Sequence, residues 1–304
     1  MNILFFSELL REAGKSKSFS ACVRAGLEGR LPLDVEGCEG ALGAMLAAAL
    51  YEARPGLYFI VVPQETDAQD FALDLEASGV PFLIFPWWGA VPYRELPPLS
   101  AVFGERIKVL SDLVLGKPCV VIIPERAFLT PLPPPEYVKS LLATLEPAGA
   151  IDTAGMGKLL VSYGYTRVPR VQMRGQFALR GEVLDIFMGG EESACRVLFD
   201  FDKVESIRRF DPLNQAAYKE KLDALYISPM KEVVWTDDRI ETLEKNLANC
   251  KEFQDGGKAV IEELISNRAV SGEEMFYPLF FEKAGSLLDY LGAQGTLVLV
   301  GRER

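Results

Sequence analysis

Three glycines, Gly37, Gly40 and Gly43, precede an alanine-rich run that leads into the apolar segment 57–63. An ATPase would hold its phosphate-binding loop, G-x-x-x-x-G-K-[ST], in this arrangement. In that loop backbone N–H groups cradle the phosphates, the lysine neutralises their charge and the hydroxyl ligates Mg²⁺. Nucleotide binding here therefore depends on which residues fill the lysine and hydroxyl positions.

Neither register of the motif supplies that lysine and that hydroxyl. With Gly43 as the second glycine, Ala44 and Met45 occupy the two positions, and the register that begins at Gly37 places leucine at the second-glycine position and glycine at the lysine position. Glu39 adds a carboxylate where phosphate would lie. The loss of two charged contacts, at about 1.5–3 kcal/mol each, weakens binding by about two to four orders of magnitude. We therefore expect the loop to keep the shape of a nucleotide site without binding ATP or Mg²⁺.

The composition excludes several other chemistries. The 304 residues include no histidine, and the five cysteines show no C-x-x-C spacing, so zinc sites and Ser-His-Asp or Cys-His catalysis are not expected. We assign no catalytic residue and no metal ligand. The formal net charge of −11 gives no bulk attraction for the nucleic-acid backbone, and no dense basic segment stands out. No apolar window approaches the roughly 18 residues of a membrane span, and a cytoplasmic location is expected.

Helical and apolar segments alternate over the first 125 residues. Continuous apolar strands between helices predict a parallel sheet that is covered on both faces. The predicted helices are 40–51, 66–79 and 100–116, and the predicted strands are 57–63, 81–86 and 118–124.

The pattern changes after the proline-rich segment 130–137, which predicts a linker or a domain boundary. From 167 to 210 the chain consists of short strands separated by turn residues, the first of them at 167–175, which predicts an antiparallel sheet. Helical patterns follow at 237–253 and 258–265, and the apolar segment 296–301 resembles the strands of the first sheet. We expect this last strand to return to that sheet.

The segment 159–215 carries the most specific motif of the chain. It contains L-x-x-x-G-Y-x-R-V, then R-G-x-F-A-x-R-G-x-x-L-D-I-F, and then R-x-x-F and E-S-I-R-x-F-D. This order closely resembles the UvrB-homologous region of bacterial transcription-repair coupling factors, the Mfd family. The segments 85–113 and 275–300 are similar to the same region, so the resemblance covers essentially the whole chain.

The resemblance implies a fold and a division into domains. Domain 1a (1–128) and domain 1b (213–304) would form a helicase-like, RecA-like α/β unit with a parallel sheet and a degenerate P-loop. Domain 2 (129–212) would be inserted between them as a mixed, largely antiparallel α+β domain. In this family the ATP-driven DNA translocase lies further along the polypeptide, so we expect this chain to be a non-catalytic N-terminal part. ATP, Mg²⁺, DNA and RNA polymerase would bind only to the missing parts.

The resemblance also implies a partner, the excision-repair protein UvrA, which domain 2 binds in order to bring excision repair to a stalled polymerase. The missing C-terminal parts of the chain would mask this surface. The family's binding arginines match Arg180 and Arg196. The family's phenylalanine falls at Asp200, and Leu198 is our candidate for its apolar contact. Arg167 lies close in sequence and is predicted to extend the basic surface.

Strand alternation gives an independent prediction for these residues. Val197, Phe199 and Phe201 would face the core, whereas Arg196 and Leu198 would face solvent together with Arg180 of the neighbouring strand. An arginine beside an exposed apolar group is a common composition of binding hot spots.

Several alternatives stay open at this point. The arginines can be ordinary solvated charges on a sheet. Asp185 is more consistent with a hydrogen-bonding role in the sheet than with catalysis, and Trp87, Trp88 and Tyr93 are more consistent with packing than with base stacking. A UvrB-like ATP-binding or DNA-binding module is the alternative function, although the chain lacks room for the damage-probing hairpin of UvrB.

Overall fold

Four apolar segments form the parallel sheet that the alternating pattern predicts. The computed structural model describes residues 2–38, 40–89, 100–249, 256–270, 272–281 and 283–301. The strands are β1 (Leu57–Val62), β2 (Phe82–Ile84), β3 (Cys119–Pro124) and β12 (Thr296–Leu299), in the order β12-β1-β3-β2. All neighbouring strands run parallel, and all of β3 is buried, as expected for a strand covered on both faces. The predicted return of the last strand is confirmed, because β12 pairs with β1.

The helices of this first unit pack on the sheet through small and apolar side chains. The unit consists of residues 1–87, 115–130 and 287–304. Alanines of the third helix are buried against the strands, which allows helix and sheet to approach closely. The helices are α1 (Asn2–Gly14), α2 (Lys17–Leu27), α3 (Ala41–Ala53), α4 (Glu65–Glu76), α6 (Glu125–Phe128) and α12 (Leu287–Leu291).

The short strands of the middle segment form a six-stranded sheet in the second unit, which comprises residues 88–114 and 131–286. The strands stand in the order β10-β9-β8-β7-β6-β5, and every pair is antiparallel except β5 with β6. The predicted mixed, largely antiparallel sheet is therefore confirmed. The strands are β5 (Thr166–Arg167), β6 (Gln176–Arg180), β7 (Val183–Phe187), β8 (Ala194–Asp200), β9 (Lys203–Phe210) and β10 (Ala217–Lys221).

A small second sheet and several helices complete the second unit. The small sheet pairs β4 (Ala143–Leu145) with β11 (Leu225–Ile227) in antiparallel orientation. The helices are α5 (Ser100–Val114), α7 (Pro135–Ser140), α8 (Thr153–Ser162), α9 (Asp237–Asn249), α10 (Gly256–Asn267) and α11 (Tyr277–Phe280), with a 3-10 turn at Glu273–Phe276.

The two faces of the six-stranded sheet differ in what covers them. One face, here called the core face, carries Phe177, Leu184, Val197 and Ile207, which are fully buried in the main core together with Leu160 of α8. The other face, here called the open face, carries a small apolar cluster at one end, made of Val171, Ala178, Phe187, Ala194 and Phe210. Alternation along antiparallel strands produces this division, because successive side chains point to opposite faces.

The structure differs from the sequence prediction in the end of one strand and in the division into units. The strand predicted at 167–175 ends at Arg167, because the side chain of Gln176 accepts hydrogen bonds from the N–H groups of Gln172 and Met173 and holds this segment as a loop. Of the segment predicted as domain 1b, 213–304, only the part from Leu287 lies in the first unit. The second unit also includes α5, which the prediction assigned to domain 1a.

Within the described ranges, no helix has both the length and the apolar character needed to cross a membrane.

Candidate functional site

Two arginines and one aspartate meet on the open face of the six-stranded sheet. A two-residue turn, Gly181–Glu182, joins β6 to β7 and sets the register of this hairpin. Asp185 then stands directly opposite Arg196 on β8, and Arg180 ends β6 one row away. Directly opposite residues of an antiparallel pair point to the same face. The strand register therefore brings Arg180 and Arg196 together, as the alternation pattern predicts.

The carboxylate of Asp185 joins the two guanidinium groups. Its Oδ1 accepts from Arg196 Nε at 2.6 Å, and its Oδ2 accepts from Arg196 Nη2 at 3.0 Å and from Arg180 Nη2 at 3.1 Å. Asp185 is fully buried, whereas the side chain of Arg196 is 24% exposed and that of Arg180 is 54% exposed. Asp185 is thus a hydrogen-bonding residue of the sheet that holds Arg196 in a bidentate fork.

The guanidinium of Arg196 is fixed from further directions. It lies over the ring of Phe210, with Cζ 4.6 Å from the ring centroid. Its Nη2 approaches Oε1 of Gln215 at 3.5 Å, and Gln215 itself donates to the backbone carbonyls of Val171 and Pro212. The hydrogen bonds to Asp185 raise the pKa of Arg196 above its ordinary value. Arg196 is therefore a permanently charged and pre-oriented donor at the surface.

The turn between β8 and β9 corrects one prediction. Val197 and Phe199 are buried on the core face, but Phe201 is 83% exposed. A β-bulge between Leu198 and Phe199 shifts the register, Asp200 pairs with Lys203, and Phe201 lies in the turn with φ of 53°. The alternation therefore stops before Phe201, and an aromatic side chain stands in solvent beside Asp200. Polar residues flank Phe201 in the sequence Asp-Phe-Asp-Lys, and such a polar segment between two strands is a sequence signal of a turn.

Leu198 and Asp200 lie where the prediction expects them on the strand. Leu198 is half-buried on the open face, opposite Val183 and Ser206. Asp200 is exposed at the end of β8. Leu198 therefore offers apolar surface next to the arginine pair, and Phe201 exposes an aromatic side chain in the turn after β8.

Arg167 lies apart from the other two arginines. It stands opposite Phe177, a residue of the core face, because β5 pairs with β6 in parallel. Its Nη2 donates to the carbonyl of Leu179 at 3.3 Å, and it lines a shallow groove together with Lys158 and Val161 of α8. The structure does not bring Arg167 together with Arg180 and Arg196, because its register opposite Phe177 places its side chain on the other face of the sheet.

Two glycines at the start of α3 occupy positions where a side chain would be strained or crowded. Gly40 precedes α3 with φ of 58°, and a Cβ on Gly43 would lie 3.2 Å from the carbonyl oxygen of Cys38. Ala44 and Met45, at the lysine and hydroxyl positions of the motif, are buried in the core of the first unit. Glu39 lies outside the described residues. Over the described ranges no group of three or more Cys, Asp or Glu side chains is placed to hold a metal ion.

The tryptophans of the segment 85–89 take part in packing. Trp88 is buried, its ring lies 6.1 Å from that of Tyr277, and the guanidinium of Arg106 lies 4.6 Å from its centroid. Arg106 is itself fully buried and forms an ion pair with the buried Glu232. Tyr93 lies outside the described residues. The packing interpretation is confirmed for Trp88.

A known family model matches the part of the chain that contains the sheet with the arginine pair. The family model of the UvrB interaction domain matches residues 144–233, which include β6 to β10. A transcription-repair-coupling factor of Borreliella burgdorferi is 29% identical over 254 residues, which are 83% of this chain and 22% of the relative. The factor of Haemophilus influenzae is 26% identical over 84% of this chain and 22% of its own length. That of Rickettsia typhi is 30% identical over 68% of this chain and 18% of its own length. The chain thus spans about a fifth of the length of these relatives.

Proposed function

From the confirmed resemblance to transcription-repair-coupling factors and the matched UvrB interaction domain, we propose that this chain is a non-catalytic docking module for UvrA. UvrA binds the open face around Arg180 and Arg196. In the longer protein this contact recruits nucleotide excision repair to a stalled RNA polymerase. RNA polymerase and DNA bind other parts of that protein, where an ATP-dependent and Mg²⁺-dependent translocase acts. The module works in the cytoplasm.

The observation that carries the proposal is the fork between Asp185 and the two arginines. Both oxygens of Asp185 accept hydrogen bonds from guanidinium N–H groups, so this carboxylate holds the arginines in place. Arginines that are already oriented lose less conformational freedom on binding than free ones. Beside them stand Leu198 and the exposed Phe201, which is the mixed composition of a binding hot spot.

The test is the affinity of this chain for purified UvrA, measured by biolayer interferometry. Arg180→Ala is the cleaner variant, because Asp185 keeps its two bonds to Arg196 when Arg180 is lost. Arg180→Ala and Arg196→Ala together should cost about 2 kcal/mol or more, an affinity loss of about 30-fold. Arg196→Lys keeps the charge but loses the bidentate fork, so it should lie between the wild type and Arg196→Ala.

The matched control is Arg167→Ala, which removes an arginine from the opposite face of the same sheet. It should bind UvrA like the wild type. Each variant is also checked by its thermal unfolding curve, because Arg196→Ala leaves Asp185 with one cation. Full affinity in the folded double variant would refute the assignment of the site.

We also propose that the first unit is the helicase-like, RecA-like unit, formed by most of domain 1a and the end of domain 1b, with domain 2 inserted as the six-stranded sheet. Its glycine loop takes no nucleotide, because Ala44 and Met45 belong to the core and supply no cation or hydroxyl. A ligand at 100 times its Kd stabilises a folded protein by about 2.7 kcal/mol. ATP with Mg²⁺ at millimolar concentration should leave the melting temperature of this chain unchanged, and a clear rise would restore the ATP-binding alternative.

A further inference from the structure

The open face carries a row of basic residues beyond the arginine pair. Arg196 of β8 stands directly opposite Arg208 of β9, and Arg208 stands directly opposite Lys221 of β10. Asp185 of β7 begins the same row. With Arg180 in the adjacent row, these two rows of the open face hold four cations, and Asp185 pairs with two of them. The whole chain, by contrast, carries a formal net charge of −11.

This row is unfavourable for the fold by itself. Like charges directly opposite each other on neighbouring strands destabilise a sheet. Asp185 compensates Arg180 and Arg196, but in the described parts of the chain no acidic side chain forms an ion pair with Arg208 or Lys221. Arg208 is half-buried and Lys221 is exposed, so both charges reach the surface. The sheet thus holds two cations that form no ion pair with the described residues around them.

Protection of a sheet edge explains only half of this arrangement. β10 is an edge strand, all five of its residues are exposed, and lysine on an edge strand discourages pairing with another chain. Arg208 lies on β9, which has a neighbour on each side, so this explanation does not apply to it. A binding role accounts for both residues.

We infer that Arg208 and Lys221 extend the docking face and that this face fits an acidic surface of the partner. The inference rests on the proposed function and adds the chemistry of the partner and two further residues. Neighbouring strands lie about 4.8 Å apart, so Arg196, Arg208 and Lys221 form a strip about 10 Å long. Carboxylates spaced about 5–6 Å apart, as at i and i+4 on one helix, match this strip. The partner places them beside an apolar contact for Leu198 and Phe201.

The experiment measures the association rate of UvrA with Arg208→Gln/Lys221→Gln at two salt concentrations. Charges at an interface rim act mainly on the association rate, and salt screens them. At about 50 mM salt the double variant should associate about 5- to 10-fold more slowly, and at about 500 mM salt the difference should fall below about twofold. The dissociation rate should change little.

The matched control is Lys158→Gln/Arg167→Gln, which removes the same two charges from the other side of the sheet. It should associate like the wild type. The melting temperature of Arg208→Gln/Lys221→Gln should be equal to that of the wild type or higher, because a repulsion is removed. A clear fall would overturn the argument from repulsion.

The outcomes separate the inference from the proposed function. If Arg180→Ala/Arg196→Ala loses UvrA while Arg208→Gln/Lys221→Gln associates like the wild type at low salt, the inference is overturned and the proposed function stands. If the wild-type chain does not bind UvrA, both are overturned. A slowdown of equal size in the control pair would show a general charge effect and would also overturn the inference.

Discussion

Replacing Asp185 by asparagine should loosen the arginine pair without changing the shape of the buried side chain. The amide oxygen can take the position of Oδ2 and accept from Arg196 Nη2 and Arg180 Nη2, but the amide nitrogen then faces Arg196 Nε, which is also a donor. The variant therefore loses at least the hydrogen bond from Arg196 Nε and the whole charge interaction. Asp185 is fully buried and cannot itself touch a partner, so it acts on binding as a positioning residue.

The expected loss of folding stability in Asp185→Asn follows from the burial of Asp185, Arg196 and Arg180. Removal of one partner from a fully buried ion pair costs about 3–5 kcal/mol, which sets an upper limit. Arg196 is 24% exposed and can turn partly to water, and Arg180 is 54% exposed, so its exposed pair contributes less than about 1 kcal/mol. We expect Asp185→Asn to lower the free energy of unfolding by about 2–3 kcal/mol.

A double-mutant cycle tests how this loss is divided. The coupling between Asp185 and Arg196 should be about 1–2 kcal/mol, and the coupling between Asp185 and Arg180 about 0.5 kcal/mol or less. The assay is urea denaturation, combined with hydrogen exchange of the β7 and β8 amides, which reports on this sheet alone. Asp200→Asn, an exposed change at the end of β8, is the control and should cost less than about 0.5 kcal/mol. If the Asp185→Asn variant is as stable as the Asp200→Asn variant, the reasoning is refuted.

Three further predictions concern other sites. Burial by itself would raise the pKa of Glu191, but Lys108 and Arg209 outweigh it and hold this pKa below its ordinary value of 4.5. The stabilisation by Glu191 is therefore present above pH 4.5 and is lost as the pH falls through the lower pKa of the folded state. In urea titrations at different pH values, the stability of Glu191→Gln should therefore fall less steeply below pH 4.5 than that of the wild type. Burial raises the pKa of Cys195 to about 11, so at pH 8 iodoacetamide should modify the partly exposed Cys22 and leave Cys195 unmodified in the folded protein, as read by mass spectrometry. Phe201→Gly should change the free energy of unfolding by less than about 1 kcal/mol, because glycine suits the positive φ, while UvrA affinity falls; unchanged affinity would remove Phe201 from the docking face.

Apolar periodicity was sufficient to predict the frame of the fold. Fully buried parallel strands are continuous apolar runs, so β1 and β3 are visible in the sequence, and the last apolar run could be assigned to the same sheet. The same reasoning identified the core face at Val197 and Phe199. Ala44 and Met45 are buried in the core of the first unit, and the absence of nucleotide binding at this loop stays a prediction.

Details that depend on register could not be predicted in the same way. Phe201 leaves the alternation because the strand ends at Asp200, which pairs with Lys203, so Phe201 lies in the turn between them; apolar alternation does not mark where a strand ends. Arg167 lies on the core face because the register of β5 against β6 puts it opposite Phe177, and the spacing of the residues does not specify that register. Asp185 was recognisable as a hydrogen-bonding residue, since a carboxylate within an apolar strand needs a partner. Its partners on β6 and β8 became known only from the strand pairing.

The two faces of the six-stranded sheet divide stability and binding between them. Phe177, Leu184, Val197 and Ile207 bury the core face completely, and this burial allows the same strands to hold an unfavourable set of charges on the other face. Asp185 pairs with the two arginines nearest to it and fixes their direction, and Arg208 with Lys221 remains for an acidic partner. A substitution on the core face should therefore lower stability and binding together. One at Arg208 or Lys221 should lower the association rate while stability is kept or improved, and this opposite response distinguishes a docking residue from a structural one.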